Sequence, residues 1–287
     1  MFKGNYYLGD SRFNWLHQHP KCMISYYELH KRKKDINAGD AAIMIDSGAF
    51  TWSRKEEPFP VGPVEYAEKI ERWSDCCDMV GCLPQDLIPG FGDHSIKECQ
   101  EVTTQSYIDV RSALHPEINV LPILHGEWPN DYATHVEMYG DIIKPNQWVS
   151  VGGIVKHSTN QQRLVSIFRA IHSVRPDLKL HGLGMKRGAL KSDRIRKYLY
   201  TADSARWAFE LADSLLNEVP DHIRNQYYSK GLRVPIRKRT PEVHAEYIEK
   251  YLAELYAPMD SMPQDAFEDS ATWWKVYRRS SDWLDNQ

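Results

Sequence analysis

No stretch of the 287-residue chain approaches the roughly 18 consecutive apolar residues that a membrane span requires, so a membrane protein is not expected. The opening residues, MFKGNYYLGDSRFNW, have no apolar segment of the signal-peptide kind, and the expectation is a cytoplasmic protein. Cysteine is scarce. The five present, Cys22, Cys76, Cys77, Cys82 and Cys99, are odd in number and lack the paired spacing of a zinc knuckle or a disulfide framework. Reduced thiols are expected. Internal repeats and low-complexity tracts are also missing, which argues against solenoids and fibres. Charge of one sign is not in excess either: the formal net charge of −3 rules out a uniformly basic coat.

What the chain does have is an ordinary globular composition, 42% hydrophobic and 26% charged, with length for two small domains or one large α/β barrel. Its basic residues gather in three clusters, KRKK at 31–34, KRGALKSDRIRK at 186–197 and KGLRVPIRKR at 230–239. Any one of these reads as a solvated face; three together suit a polyanion. Short apolar runs alternate with amphipathic segments of helical length, the pattern of βα units on a parallel sheet. Strands are expected at 22–27, 42–46, 79–83, 119–124, 148–151, 179–183 and 197–201. Helices are expected over PVEYAEKIERWSD, where Val64, Ala67, Ile70 and Trp73 share a face, over NQQRLVSIFRAIHSV, and over SARWAFELADSLL. No glycine-rich phosphate loop follows residue 27, which disfavours an open doubly wound sheet. The expected fold is therefore α/β. It is a TIM-like (β/α)8 barrel over residues 1–219, with a helical, basic and aromatic extension over 220–287 packed on the barrel or completing it.

In such a barrel the residues just past the C-terminal strand ends line the active-site mouth. Here they include Asp46-Ser47-Gly48 after the run AAIMI, then Gln85-Asp86, His125-Gly126, Gly152-Gly153, Gly182 with Gly184, and Asp203-Ser204. Glycines at these places either let a flat ligand reach the backbone or serve tight turns. Asp46 and Asp203 are each either a helix N-cap or half of a carboxylate pair flanking a sugar carbon, as glycosidic chemistry requires. Asp86 is a helix cap or a ligand to substrate, and His125 a hydrogen-bonded core residue or part of the mouth. Trp52 and Trp128 either pack in the core or stack on a base.

Six segments in colinear order, IMIDSGAF, LPQDLI, LPILHGEWPNDY, VSVGGI, LHGLGMK and TADSARWAF, resemble the tRNA-guanine transglycosylase superfamily. The resemblance is closest to its DNA-modifying branch, the 7-deazaguanine DNA transglycosylases (DpdA), and it spans residues 40–215. It implies a TIM-like barrel that exchanges guanine in DNA for a 7-deazaguanine such as 7-cyano-7-deazaguanine, without ATP. The same chemistry on tRNA and a non-catalytic, nucleic-acid-binding partner subunit are the alternatives. By position, the resemblance makes Asp203 the nucleophile toward C1′ and Asp46 the general acid/base. It assigns the base slot to Ser47, Gly48, Gln85, Asp86, His125, Gly126, Gly152, Gly153, Gly182, Gly184 and Ser204.

In the tRNA branch a cysteine-ligated zinc follows the nucleophile, but no cysteine lies beyond Cys99 here, so no metal or other cofactor is expected. Lys186, Arg187 and Lys191, with Arg233, Arg237, Lys238 and Arg239 of the tail, are the expected contacts to DNA phosphates. Trp273, Trp274 and Tyr277 are expected to pack on the barrel. A guanine inside a duplex cannot reach a barrel mouth and must be flipped out or unpaired. The expected partners are DNA and the 7-deazaguanine base, with a second copy or a partner subunit left open. The expected setting is a bacterial cell, with the protein encoded by the host or by a phage.

Overall fold

Successive side chains of a strand point to opposite faces, so each apolar run in this chain serves two cores at once. The computed structural model describes residues 6–9, 19–230, 232 and 240–260. Its strands are β1 (Tyr6–Gly9), β2 (Lys21–Ser25), β3 (Ala42–Asp46), β4 (Met79–Cys82), β5 (Ile123–Leu124), β6 (Trp148–Val151), β7 (Lys179–Gly182) and β8 (Leu199–Ser204). They form one parallel sheet in the order β4-β3-β2-β1-β8-β7-β6-β5. The outer strand β4 is joined to the segment leading into the other outer strand, β5, through an isolated bridge between Cys82 and Val120. There the Cys82 N–H donates to the Asn119 carbonyl at 2.8 Å, and the Leu121 N–H donates to the Cys82 carbonyl at 2.9 Å. The ring is thereby closed as a TIM-like (β/α)8 barrel.

Inside the ring, Tyr7, Met23, Met44, Leu83, Leu121 and Ile123 form one cluster, with Trp148 and Leu183 against it. Outside it, Tyr6, Leu8, Cys22, Ile24, Ile43 and Ile45 take the alternate positions and pack with the helices in the main core. Those helices are α1 (Tyr26–Leu29), α2 (Ala49–Arg54), α3 (Pro63–Ser74), α4 (Ile96–Ala113), α5 (Pro129–Tyr139), α6 (Gln161–Val174), α7 (Arg187–Leu190), α8 (Asp193–Arg196), α9 (Arg206–Asn217), α10 (Asp221–Tyr228) and α11 (Pro241–Asp260). None among the described residues is long and apolar enough to cross a membrane.

The helices follow from local signals. The sequence SIKE starts α4 with a capping box: Ser95 Oγ accepts from the Glu98 N–H, and Glu98 Oε2 accepts from the Ser95 N–H at 2.7 Å. Helix α3 begins on Pro63 and buries Tyr66, Ala67, Ile70 and Trp73. Each large apolar side chain so buried contributes roughly 1.5–3 kcal/mol. Val64, expected on that face, is instead 59% exposed, because the face is set by positions 66, 67, 70 and 73 and a residue two before Tyr66 points away from it.

Several strand limits differ from expectation. Strand β1, between β2 and β8, was not among the expected strands, yet the ring cannot close without it. Strand β2 ends at Ser25, and Tyr26 already begins α1. Regular pairing in β5 is confined to Ile123 and Leu124, with Val120 reached only by the isolated bridge. Strand β8 runs to Ser204 rather than stopping at residue 201, which places Asp203 within the strand. In the extension, Ile248, Tyr251 and Leu255 of α11 are buried in the same core as Trp207, Leu211 and Leu215 of α9. Trp273, Trp274 and Tyr277 lie outside the described residues.

Candidate active site

At the C-terminal ends of the strands lies a cavity of about 920 Å³, walled by residues at the end of each strand or in the segment that follows it. The contributions are Gly9, Ser25, Asp46 with Ser47, Asp86, His125, Gly152 with Gly153, Leu183 with Gly184, and Asp203. Alternation explains the carboxylates. Asp46 stands two residues beyond the inward-facing Met44, and Asp203 two beyond Thr201, so both reach the open end of the barrel on its inner face.

Asp46 Oδ2 accepts the Gly48 N–H at 3.0 Å. Burial, followed by the nearby charges of Asp86 and Asp203, pushes its carboxyl up to about 7. Gly48 has φ +80°, and a Cβ there would sit 2.9 Å from the Tyr27 nitrogen, so the turn after Asp46 needs glycine. Asp203 is held differently. Its Oδ1 accepts the Gly184 N–H at 2.8 Å and faces His181 Nε2 at 3.3 Å, while among the described residues no hydrogen bond engages Oδ2. The first N–H of helix α9, that of Arg206, donates instead to Ser204 Oγ at 3.1 Å, and the N-cap position is Ala205. Neither catalytic candidate is therefore spent on a helix end.

Asp86 also caps no helix. Ser47 Oγ donates to its Oδ1 at 2.7 Å, and His125 Nε2 donates to its Oδ2 at 2.8 Å. Ser47 in turn accepts the Ala49 N–H at 3.2 Å. With Nε2 committed, His125 Nδ1 is left as a buried acceptor with no partner among the described residues. The ring is fixed from behind. Its backbone N–H donates to His135 Nδ1 at 2.8 Å, and the Gln100 amide donates to its carbonyl at 2.8 Å. Burial lowers His135 to about 3, which suits an acceptor. Gly152 leaves room for this ring, since a Cβ would meet His125 Cε1 at 2.6 Å. The result is a slot bordered by an acid group, an imidazole and bare backbone.

Other expected site residues fall elsewhere. The Gln85 amide donates to the Val61 carbonyl at 2.8 Å, outside the cavity wall. Gly126 packs on Asp131 and Tyr132, and Gly182 on Met185. Lys186 and Lys191 are exposed. Arg187 is engaged with Glu210 at 3.2 Å and Glu254 at 2.5 Å and lies over the Tyr251 ring. Arg233, Arg237, Lys238 and Arg239 lie outside the described residues. Trp52 is buried against Tyr27 and His30, whereas Trp128 is 61% exposed with Arg163 stacked 3.9 Å above it.

Sequence reading passed over His181, which was readable as inward-facing because it lies two residues before Leu183. It also passed over Phe50 and Phe209, exposed aromatics on the cavity wall. Among the described residues no three His, Cys, Asp or Glu side chains gather as a metal centre.

Among curated proteins no sequence matches this chain. The family model described as DeoxyPurine in DNA protein A, DpdA, matches residues 2–243, which includes every strand of the barrel and every described wall of the cavity. The chain belongs to the DpdA family.

Proposed function

We propose that this protein is a DNA-guanine transglycosylase that exchanges guanine for a 7-deazaguanine base, such as 7-cyano-7-deazaguanine, through a covalent Asp203–deoxyribose ester. The observation that carries the reading is that Asp46 and Asp203, on two different strands, face one cavity with different hydrogen-bond environments. Asp203 Oδ2 attacks C1′ as the N9–C1′ bond breaks, and the departing guanine takes a proton from Asp46. The incoming base then returns its N9 proton to the Asp46 carboxylate as N9 attacks C1′ and the ester opens. Two inversions give net retention, and the single proton is recycled. A group near pH 7 suits both giving and taking that proton.

Asp86 and the free Nδ1 of His125 are the acceptors for the N–H edge of the base, and Ser47 and the glycines at 48, 152, 153 and 184 shape the slot. Phe50 and Phe209, 57% and 61% exposed, are suited to stack on nucleotides beside a flipped base. Lys186 and Lys191, with Arg233, Arg237, Lys238 and Arg239 of the tail, supply charge for the backbone. The test is incubation with isotopically labelled 7-cyano-7-deazaguanine and duplex DNA, single-stranded DNA or tRNA, followed by digestion to nucleosides. Label in deoxynucleosides and a denaturation-resistant adduct lost in Asp203→Ala are expected. Label only in ribonucleosides, or an adduct that survives in Asp203→Ala, overturns the reading.

A further inference from the structure

We infer that His181 is fixed as its Nε2–H tautomer by Trp148 and Thr201, and that it is the positioning residue that orients Asp203 for attack through Oδ2; the second half of this inference rests on the transglycosylase reading above. Four inward-facing side chains form a line across three neighbouring strands. Trp148 Nε1 lies 2.8 Å from Thr201 Oγ1, Thr201 Oγ1 lies 2.7 Å from His181 Nδ1, and His181 Nε2 lies 3.3 Å from Asp203 Oδ1. Donor and acceptor roles along the line follow from its first member. An indole nitrogen only donates, so Thr201 Oγ1 accepts from Trp148. Among the described residues the single threonine proton then has one acceptor in reach, His181 Nδ1. An imidazole that accepts at Nδ1 carries its own proton on Nε2, and that proton points at Asp203.

The reverse arrangement fails. A proton on Nδ1 alone would set the bare Nε2 lone pair against a carboxylate oxygen. A proton on both nitrogens would turn the threonine hydroxyl away from its only acceptor among the described residues, in a site where His181 is fully buried and Thr201 is 2% exposed. The ring cannot easily turn, since Tyr7 and Trp148 stand edge-on to it at 6.1 Å each.

Period two supplies the alignment. His181 pairs in register with Thr201, and Asp203 is the next inward position of the same strand. Both donors to Asp203, His181 Nε2–H and Gly184 N–H, converge on Oδ1, so Oδ2 carries the lone pair that meets C1′. In the ester Oδ1 becomes the carbonyl oxygen. When the second base attacks C1′, the bonding pair returns to the carboxylate with both donors already in place.

The test uses the full chain with 15N-labelled histidine, His181 being assigned by the resonances lost in His181→Gln. A protonated Nε2 and an unprotonated Nδ1 are expected, with the preference lost in Thr201→Val and kept in Thr201→Ser. In single turnover with guanine-containing DNA, adduct formation should slow about 100-fold in His181→Gln and about 10-fold in Thr201→Val, as for removal or misalignment of one preorganised donor. Thr201→Ser should recover the rate, and affinity for free 7-deazaguanine should be unchanged throughout. A protonated Nδ1 in the parent protein, or an unslowed adduct in His181→Gln, overturns the inference. If the parent protein forms no adduct with any DNA, the transglycosylase reading falls and takes the role in attack with it, while the nitrogen shifts still decide the tautomer.

Discussion

Replacing Asp46 with asparagine should make the protein more stable in mildly alkaline solution and no more stable in acid. A carboxyl ordinarily titrates near 3.8, and in the folded chain burial and two neighbouring carboxylates raise Asp46 to about 7. A raised carboxylate binds its proton more tightly in the native state than in the unfolded chain. Its contribution therefore favours folding least above about pH 7. The penalty builds as pH rises from about 4 to about 7 and is absent below about pH 4. Three units at 1.36 kcal/mol each set an upper value of about 4 kcal/mol, and water in the open cavity reduces the realised penalty to about 2–4 kcal/mol. Asparagine keeps an oxygen for the Gly48 N–H, so the turn survives while the charge is lost.

Urea unfolding followed by tryptophan fluorescence measures the difference. Asp46→Asn should exceed the parent protein by about 2–4 kcal/mol at pH 8, and the gap should close toward pH 4. The same variant should fail to complete base exchange, because no group remains to take the N9 proton of the incoming base. An equal offset at both pH values, or a loss of stability at pH 8, would refute the electrostatic account of this residue.

Ser47→Ala should leave Asp86 Oδ1 without its donor, cost about 1–3 kcal/mol of stability, and weaken binding of free 7-deazaguanine in a calorimetric titration. Gly152→Ala should fold but push the His125 ring from the slot, raising the dissociation constant for the base at least about tenfold while leaving DNA affinity intact. Arg187→Ala should lower stability by about 1 kcal/mol through its pairs with Glu210 and Glu254. It should leave the salt dependence of DNA binding unchanged, whereas Lys186→Ala should lower that slope by about 1.

How far the site was legible depended on which face of a strand carried the signal. The run AAIMI before Asp46 is apolar on both faces, so β3 and its terminal carboxylate stood out together. Strand β8 was expected only as far as residue 201, with Asp203 just past its end, because its inward positions near the cavity are Thr201 and Asp203, and a strand whose inner face turns polar at a binding site looks like a loop that follows it. Strand β1 offered only YYLG, too short for alternation to register. Gln85 and Arg187 were the right residue types for recognition, yet each already has protein partners, which only three-dimensional neighbours reveal. Trp52 next to a strand end is equally ambiguous until Tyr27 and His30 are seen around it.

The two carboxylates are told apart by surroundings rather than by residue type. Asp46 has one backbone donor, apolar walls and two anionic neighbours, a setting that favours the proton-bearing form until neutral pH. Asp203 has two donors aimed at a single oxygen and a second oxygen free of partners among the described residues, a setting suited to forming and releasing a bond to carbon. Exchanging the roles would place the nucleophile where its charge is least tolerated and the proton carrier where neutral donors already occupy one side. On the transglycosylase reading proposed above, this asymmetry suits Asp203 to the role of nucleophile and Asp46 to that of acid/base.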